Sequence, residues 1–207
     1  MDILDKIHWL GQAAFCVESD EAVIYIDPFE LKRDKPKADI ILISHGHFDH
    51  CSSEDIKKIH QSQTVIIGPE AVRAILSYPV RAVKPKDKII VGNIEIEAVP
   101  AYNINKRFHP LSEGNLGFII QINKIRIYHT GDTDFVPEMN QIKANIVLLP
   151  VGGTYTMNAQ EAAEAVNIIK PDVAIPMHWG GVVGSRKDAE NFQKLCKCNV
   201  KIIEPEK

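Results

Sequence analysis

Apolar residues recur along the chain with two periods, and the switches between them mark out the elements. Residues 3–9, 13–18 and 22–26 carry alternating or continuous β-branched and aromatic positions and read as three short strands. Asp27-Pro28 closes the third, because proline has no amide hydrogen to extend a ladder. Residues 39–44 (D-I-I-L-I-S) are apolar on both faces, the pattern of a strand buried between layers. That strand runs directly into His45. Ser52, three residues before Asp55, has a variant of the capping-box spacing and opens a helix.

Strand and helix signals then alternate. Residues 64–67 read as a strand and 69–77 as a helix, with Pro69 tolerated in its first turn. Strands 88–91 and 94–99 flank Gly92-Asn93, a pair that supplies the positive φ of a tight hairpin. Strands 116–122 and 125–129 flank Asn123-Lys124. Residues 146–150 form a buried strand, and 158–169 a helix capped by Asn158 with Glu161 three residues on. A strand at 172–176, a helix at 187–197 and a strand at 200–203 complete the chain.

Each half thus runs from strands and hairpins to helices, which predicts an α+β sandwich with helices on the outer faces of two sheets. The shared order hints at internal duplication. No linker, repeat or low-complexity stretch interrupts it, so residues 1–207 read as a single domain.

Composition narrows the partners. With 207 residues and 45% hydrophobic content, the chain can bury a core without disulfide support. A net charge of -3 gives no electrostatic case for a general nucleic-acid binder, although 24 Lys and Arg leave room for a local basic patch. Cys16, Cys51, Cys196 and Cys198 form no C-x-x-C pair. They read as free thiols of a reducing compartment, with Cys196 and Cys198 at the end of a helical segment. There is no signal-peptide apolar region and no stretch approaching the ~20 apolar residues of a membrane span. The expectation is a cytoplasmic protein without a membrane partner.

The chemistry concentrates in His45-Gly46-His47-Phe48-Asp49-His50. Imidazole nitrogen and carboxylate oxygen suit divalent transition metals, zinc above all. His45 and His47 can point the same way across Gly46, while Asp49 and His50 can diverge toward a second centre. A lone histidine in a loop is usually solvated. Four such donors in six residues, directly after a buried strand, point instead to metal binding.

H-G-H-F-D-H resembles the H-x-H-x-D-H signature of the metallo-β-lactamase superfamily, and the resemblance covers essentially the whole chain. Gly11-Gln12-Ala13-Ala14-Phe15 resembles the family's early glycine turn and strand, and Ile26-Asp27-Pro28-Phe29 its I-D-P turn. Tyr128-His129-Thr130-Gly131-Asp132-Thr133 resembles the G-D-T strand end with its bridging aspartate. Ile175-Pro176-Met177-His178 resembles the final histidine after a strand. Within the superfamily the chain is similar to small hydrolases related to the ascorbate-6-phosphate lactonases. It lacks the long insertion of the nucleic-acid-processing members.

The resemblance implies a four-layer αβ/βα sandwich and a two-metal hydrolytic centre. His45, His47 and His109 would hold one cation, Asp49, His50 and His178 the other, and Asp132 would bridge them. Zinc is the expected metal, with manganese, iron or nickel as alternatives. A hydroxide held between two cations would attack a small ester, lactone, amide or phosphodiester, with Asp49 orienting it or carrying its proton. The third ligand of the first site departs from the family pattern. Relatives have a histidine where this chain has Asn103, so either Asn103 or His109 completes the site. Amide oxygen is a poor zinc ligand, which favours His109 and leaves Asn103 as a pocket residue.

Other residues divide between roles. Asp27 would fix the tautomer of a ligand imidazole. His129 orients a ligand or makes a core hydrogen bond, and Asp134 reads as a turn cap or, less readily, as support behind a ligand. Tyr155, Thr156 and Trp179 are candidate pocket walls or simple packing, and the glycines at 152 and 153 would let substrate approach the backbone. Lys106 and Arg107 would suit an anionic substrate or form a solvated basic loop. No G-x-S-x-G elbow offers a serine nucleophile, and Cys51 reads as packed. A nuclease and a catalytically silent metal sensor or scaffold are the competing readings.

Overall fold

The computed structural model describes residues 3–206. The first sheet runs in the order β1 (Ile7–Gly11), β2 (Ala14–Glu18), β3 (Val23–Ile26), β4 (Ile40–Leu42), β5 (Val65–Gly68) and β6 (Val80–Ala82). Its first three strands are antiparallel and the rest parallel. The second sheet starts with the antiparallel β7 (Lys88–Val91), β8 (Ile94–Pro100), β9 (Leu116–Ile122) and β10 (Ile125–His129). It continues with the parallel β11 (Ile146–Pro150), β12 (Val173–Met177) and β13 (Asn199–Val200). Both sheets therefore pass from antiparallel to parallel pairing in chain order, which is the structural form of the repeated pattern.

Alternation along each strand assigns its two faces to two cores. Phe15, Val17, Ile24, Ile26, Ile40 and Leu42 point between the sheets, where they share one cluster with Ile96, Phe118, Ile120 and Ile127. Their neighbours Ala14, Cys16, Tyr25, Ile41 and Ile43 face outward onto Ile56, Ile59 and Val72 of two helices, α1 (Ser53–Ile59) and α2 (Glu70–Arg73). On the far side α3 (Ala159–Ile169) and α4 (Arg186–Leu195) pack on β11 and β12. The result is the metallo-β-lactamase type of sandwich. Apolar strands covered on both faces explain why 39–44 lacks any polar alternation.

Several elements differ from the sequence reading, among them the last strand, which pairs only at Asn199–Val200 rather than over 200–203. Residues Ile3–Lys6 form a 3-10 turn rather than strand, since period-two burial begins only at Ile7, with His8 half-buried between Ile7 and Trp9. The helix expected over 69–77 ends at Arg73, where the amides of Ala74 and Ile75 bond three residues back, to Ala71 and Val72. The edge strand β6 was missed because three partly exposed residues carry no periodic signal. Helix α4 stops at Leu195, so Cys196 caps it in an extended conformation and Cys198 lies beyond. All four cysteines are free.

Candidate metal centre

The parallel strands deliver their carboxyl ends to one rim of the sandwich, and the donor residues sit in the turns that leave them. Strand β3 leads to Asp27, β4 to Ser44 and His45, β10 to Asp132, and β12 to His178. The turn after β1 adds Gln12, and the loop after β8 adds Asn103 and His109. Asp27, His178 and Gln12 have φ of +46°, +60° and +50°. Left-handed backbone at non-glycine residues costs of order 1–3 kcal/mol each and persists only where surrounding contacts enforce it. Here the His178 amide donates to the Gln12 carbonyl at 2.8 Å, tying two of the three together.

His45 Nε2 and His109 Nε2 lie 3.0 and 3.2 Å from His47 Nδ1. Tetrahedral zinc with bonds of about 2.0–2.1 Å spaces its ligand nitrogens roughly 3.3 Å apart, so the three nitrogens are set for one cation. Asp49, His50 and His178 form a second group within ligand range, and Asp132 joins His45 and His50 in a third. Asp132 Oδ2 lies 3.2 Å from His178, 3.4 Å from His50 and 3.6 Å from His109, between the two sets. His50 Nε2, Asp132 Oδ1 and His178 Nδ1 are buried without a hydrogen-bond partner. Buried polar atoms are rarely left so, and the first two are donor types that a cation satisfies.

Tautomers follow from the groups behind the rings. Asp27 Oδ2 lies 2.7 Å from His50 Nδ1, so the imidazole donates there and leaves Nε2 facing the centre. The same carboxylate accepts from the Ser44 amide and hydroxyl at 2.7 and 2.6 Å. With its proton spent on Asp27, Ser44 Oγ accepts from His45 Nδ1 at 2.9 Å, which bares His45 Nε2. Burial, reinforced by His50, depresses His45 well below its ordinary range and keeps it neutral, the form a ligand needs. Burial also depresses His109. Burial opposes the charge on His50, but Asp132 and Asp27 overcome it and hold the ring well above the usual histidine range. Burial likewise opposes the charge on Asp132, and His178 and His50 overcome it, holding that carboxyl well below the usual value.

The residues expected around this cluster sort unevenly. Asn103 is buried behind His109 and is not among the residues lining the cavity over the donors. His129 Nε2 donates to the Ala13 carbonyl at 2.9 Å and its Nδ1 accepts from the Gly131 amide at 3.2 Å, so both ring nitrogens are engaged by backbone groups of the core. Asp134 caps no turn. It accepts from Asn103, the Ile104 amide and Lys106 (2.5 Å), pinning the loop that carries His109. Lys106, also 3.6 Å from Glu161, pairs with two carboxylates.

Tyr155 lines the cavity over the donors; Thr156 and Trp179 do not. Thr156 is fully buried, and the Trp179 indole turns to pack on Trp9 at 4.7 Å. Gly152 serves the backbone rather than a substrate, because a Cβ there would overlap the His178 carbonyl oxygen. Burial pushes the Cys51 thiol up to about 12, so it is inert. Gln12 and Ser44 went unrecognised as site residues. Their neighbours in the sequence carried a signal; an amide and a hydroxyl have none of their own.

Residues 6–178 match the family model described as a beta-lactamase superfamily domain. The chain belongs to the metallo-β-lactamase superfamily. Within it, the UPF0173 metal-dependent hydrolase family is shown by a relative from Archaeoglobus fulgidus, 36% identical over 93% of this chain and 90% of the relative. The crystal structure of a protein assigned as a metal-dependent hydrolase from Parabacteroides distasonis superposes with a TM-score of 0.88 at 32% identity, covering 97% of this chain and 93% of that one. The metallo hydrolase Igni18 from Ignicoccus hospitalis shares the fold, with a TM-score of 0.80 at 23% identity over 97% and 95% of the two chains. Among the described residues, no helix is long and apolar enough to cross a membrane.

Proposed function

We propose that the chain is a two-metal hydrolase of small molecules, acting as a single cytoplasmic domain. The observation that carries this reading is the division of seven converging donors into two sets with Asp132 between them. His45, His47 and His109 would hold one cation, and Asp49, His50 and His178 the other. Zinc matches the donor types best, with manganese, iron or nickel as substitutes. Bound cations would lower the pKa of water toward neutrality and polarise a carbonyl or phosphoryl oxygen.

The protein's own share is positional. Asp49 faces the cavity, and its Oδ2 accepts from Gln12 Nε2 at 2.9 Å. From there its carboxylate can orient a water molecule, take its proton as the new carbon–oxygen or phosphorus–oxygen bond forms, and return that proton to the leaving oxygen or nitrogen as the scissile bond breaks. Asp27 and Ser44 hold the rings of His50 and His45, and Asn103 that of His109. The four free cysteines fit a reducing compartment. Membership of the group related to the ascorbate-6-phosphate lactonases belongs to this proposal and would place a small ester or lactone among the candidate substrates.

Two measurements test the reading. Protein produced in metal-replete medium should carry close to two transition-metal ions per chain, and a value below one would overturn the assignment. Asp49→Ala should lower hydrolysis of an ester, lactone and bis-(p-nitrophenyl) phosphate panel by about 10²–10⁴-fold, the contribution of a positioned proton acceptor, with the circular dichroism spectrum retained.

A further inference from the structure

Above the donors lies a cavity of about 250 Å³ lined by His47, Asp49, His109, Asp132 and His178 at its base and by Phe48, Phe108, Tyr155 and Val182 at its mouth. Drug-sized ligands occupy roughly 300–1,000 Å³, so this volume takes only the reacting end of a small molecule or a compact whole one. The mouth is apolar and open. Phe48, Val182 and Phe108 are 71%, 50% and 37% exposed, an uncommon concentration of large hydrophobics around a polar floor. The aromatics are braced: Phe108 stands edge-on to Tyr155 at 4.7 Å, and Phe48 edge-on to Phe29 at 5.9 Å.

A second cavity, about 400 Å³, shares Phe48 and Val182 with the first and is bordered by Leu10, Gln12, Phe29, Glu30 and the glycines at 11, 180 and 181. Neither cavity is lined by a lysine or arginine. Lys106 pairs with Asp134 and Glu161, and Arg107 lies 6.0 Å over the ring of Phe108 at the mouth but lines neither cavity. The one ionisable group added by the second cavity is the carboxylate of Glu30, which repels an anion.

We propose that the substrate is an uncharged ester, lactone or amide bearing an apolar alkyl or aryl group, seated between Phe48, Val182 and Phe108 and extending past Phe48 toward Phe29. This inference rests on the hydrolytic reading for the reacting bond, and on the two cavities alone for the apolar group. It replaces the anionic substrate that Lys106 and Arg107 suggested. A charged group held away from the metal donors would need a cation on the wall, and the wall offers aromatic rings, the Gln12 amide and a carboxylate.

The test is a series of straight-chain hydroxamic acids, from acetohydroxamate to octanohydroxamate, titrated calorimetrically into the metal-loaded protein. Affinity should rise about fourfold per methylene until the chain fills the second cavity, the gain expected for burying a CH₂ group. A flat series, or tighter binding of chains ending in a carboxylate, overturns the proposal. Phe48→Ser and Val182→Ser should each flatten the rise while metal per chain stays at the wild-type value; a rise as steep in both variants also overturns it. The two readings fail separately. A rising series with no hydrolysis of any ester or lactone keeps the apolar site and removes the hydrolase, whereas turnover with a flat series does the reverse.

Discussion

Asn103 grips His109 at two points: its Oδ1 accepts from the His109 backbone amide at 3.0 Å and faces the ring Nδ1 at 3.2 Å. The amide cannot be turned round, because its Nδ2 donates to Asp134 Oδ1 at 3.1 Å and to the Tyr155 carbonyl at 3.0 Å. The His109 Nδ1 must therefore carry the proton, and Nε2 is left bare toward His47. The two candidates for one ligand position are thus partners, one imidazole and one amide behind it. Asn103→Ala should weaken metal binding about 10–100-fold, the usual cost of removing such a partner. Chelator-competition titration measures it, with His109→Ala as the reference. An affinity equal to wild type would show that the loop holds His109 without Asn103.

Gln12 makes the complementary case at the other site. Its Nε2 lies 2.9 Å from Asp49 Oδ2 and 2.8 Å from His178 Nε2, the two atoms a second cation would use. The amide and a cation cannot hold both atoms at once. Gln12→Ala should lower the stability of the metal-free protein by about 1.5–3 kcal/mol, as for a lost hydrogen bond to a charged group. The same variant should bind the second equivalent of metal more tightly, since no amide has to be displaced. Stepwise calorimetric titration reads both equivalents, and an unchanged second step would mean that the amide swings aside without cost.

Asp55 links the cluster's helix to the segment after β3. Its carboxylate accepts from the Glu30 and Leu31 amides at 2.9 Å each and from Lys58 at 2.8 Å, and Ser52 caps its own amide. Burial works against the charge, but Lys58, Ser52 and the Leu31 amide outweigh it and lower the pKa below the ordinary 3.8. A carboxylate depressed on folding stabilises at pH above its unfolded value, and the contribution is lost as pH falls through the folded one. Asp55→Asn should cost about 1–3 kcal/mol at pH 7. In urea titrations at a series of pH values, the gap between wild type and variant should close below pH 3.8. A gap independent of pH would assign the effect to packing.

What the sequence disclosed and what it withheld separate along physical lines. Strands with period-two burial, such as β2 and β3, and the doubly buried β4 were legible because pattern and environment agree. The donor cluster was legible because imidazole and carboxylate at that density serve few other purposes. Residues whose role depends on direction were not. Trp179 follows His178 directly, yet the φ of +60° at His178 turns the chain so that the indole leaves the cavity for Trp9. Lys106 looked free beside Arg107, and only the fold brings Asp134 and Glu161 to it, 28 residues and more along the chain. Gln12 and Asn103 are amides, which carry no chemical signature until their neighbours are known.

Gly152 supplies the last test, because it separates packing from donor chemistry. It follows β11 and lies against the turn that carries His178, where a Cβ would overlap the His178 carbonyl oxygen and stand 3.2 Å from Val183 Cγ2. The carbonyl cannot retreat freely, since the His178 amide is bonded to Gln12 and the backbone there is already left-handed. Gly152→Ala must therefore push the turn as a unit. Overpacking of this kind costs about 1–3 kcal/mol, and for a chain of this size each kcal/mol lowers Tm by about 2–4 °C. Displacement of His178 should reach the second metal set and spare His45, His47 and His109. The expected result is a Tm several degrees lower, together with loss of the weaker metal equivalent and retention of the tighter one. Loss of both equivalents would mean that the two sets form one cooperative unit through Asp132, and full retention would mean that the turn yields without moving the His178 ring.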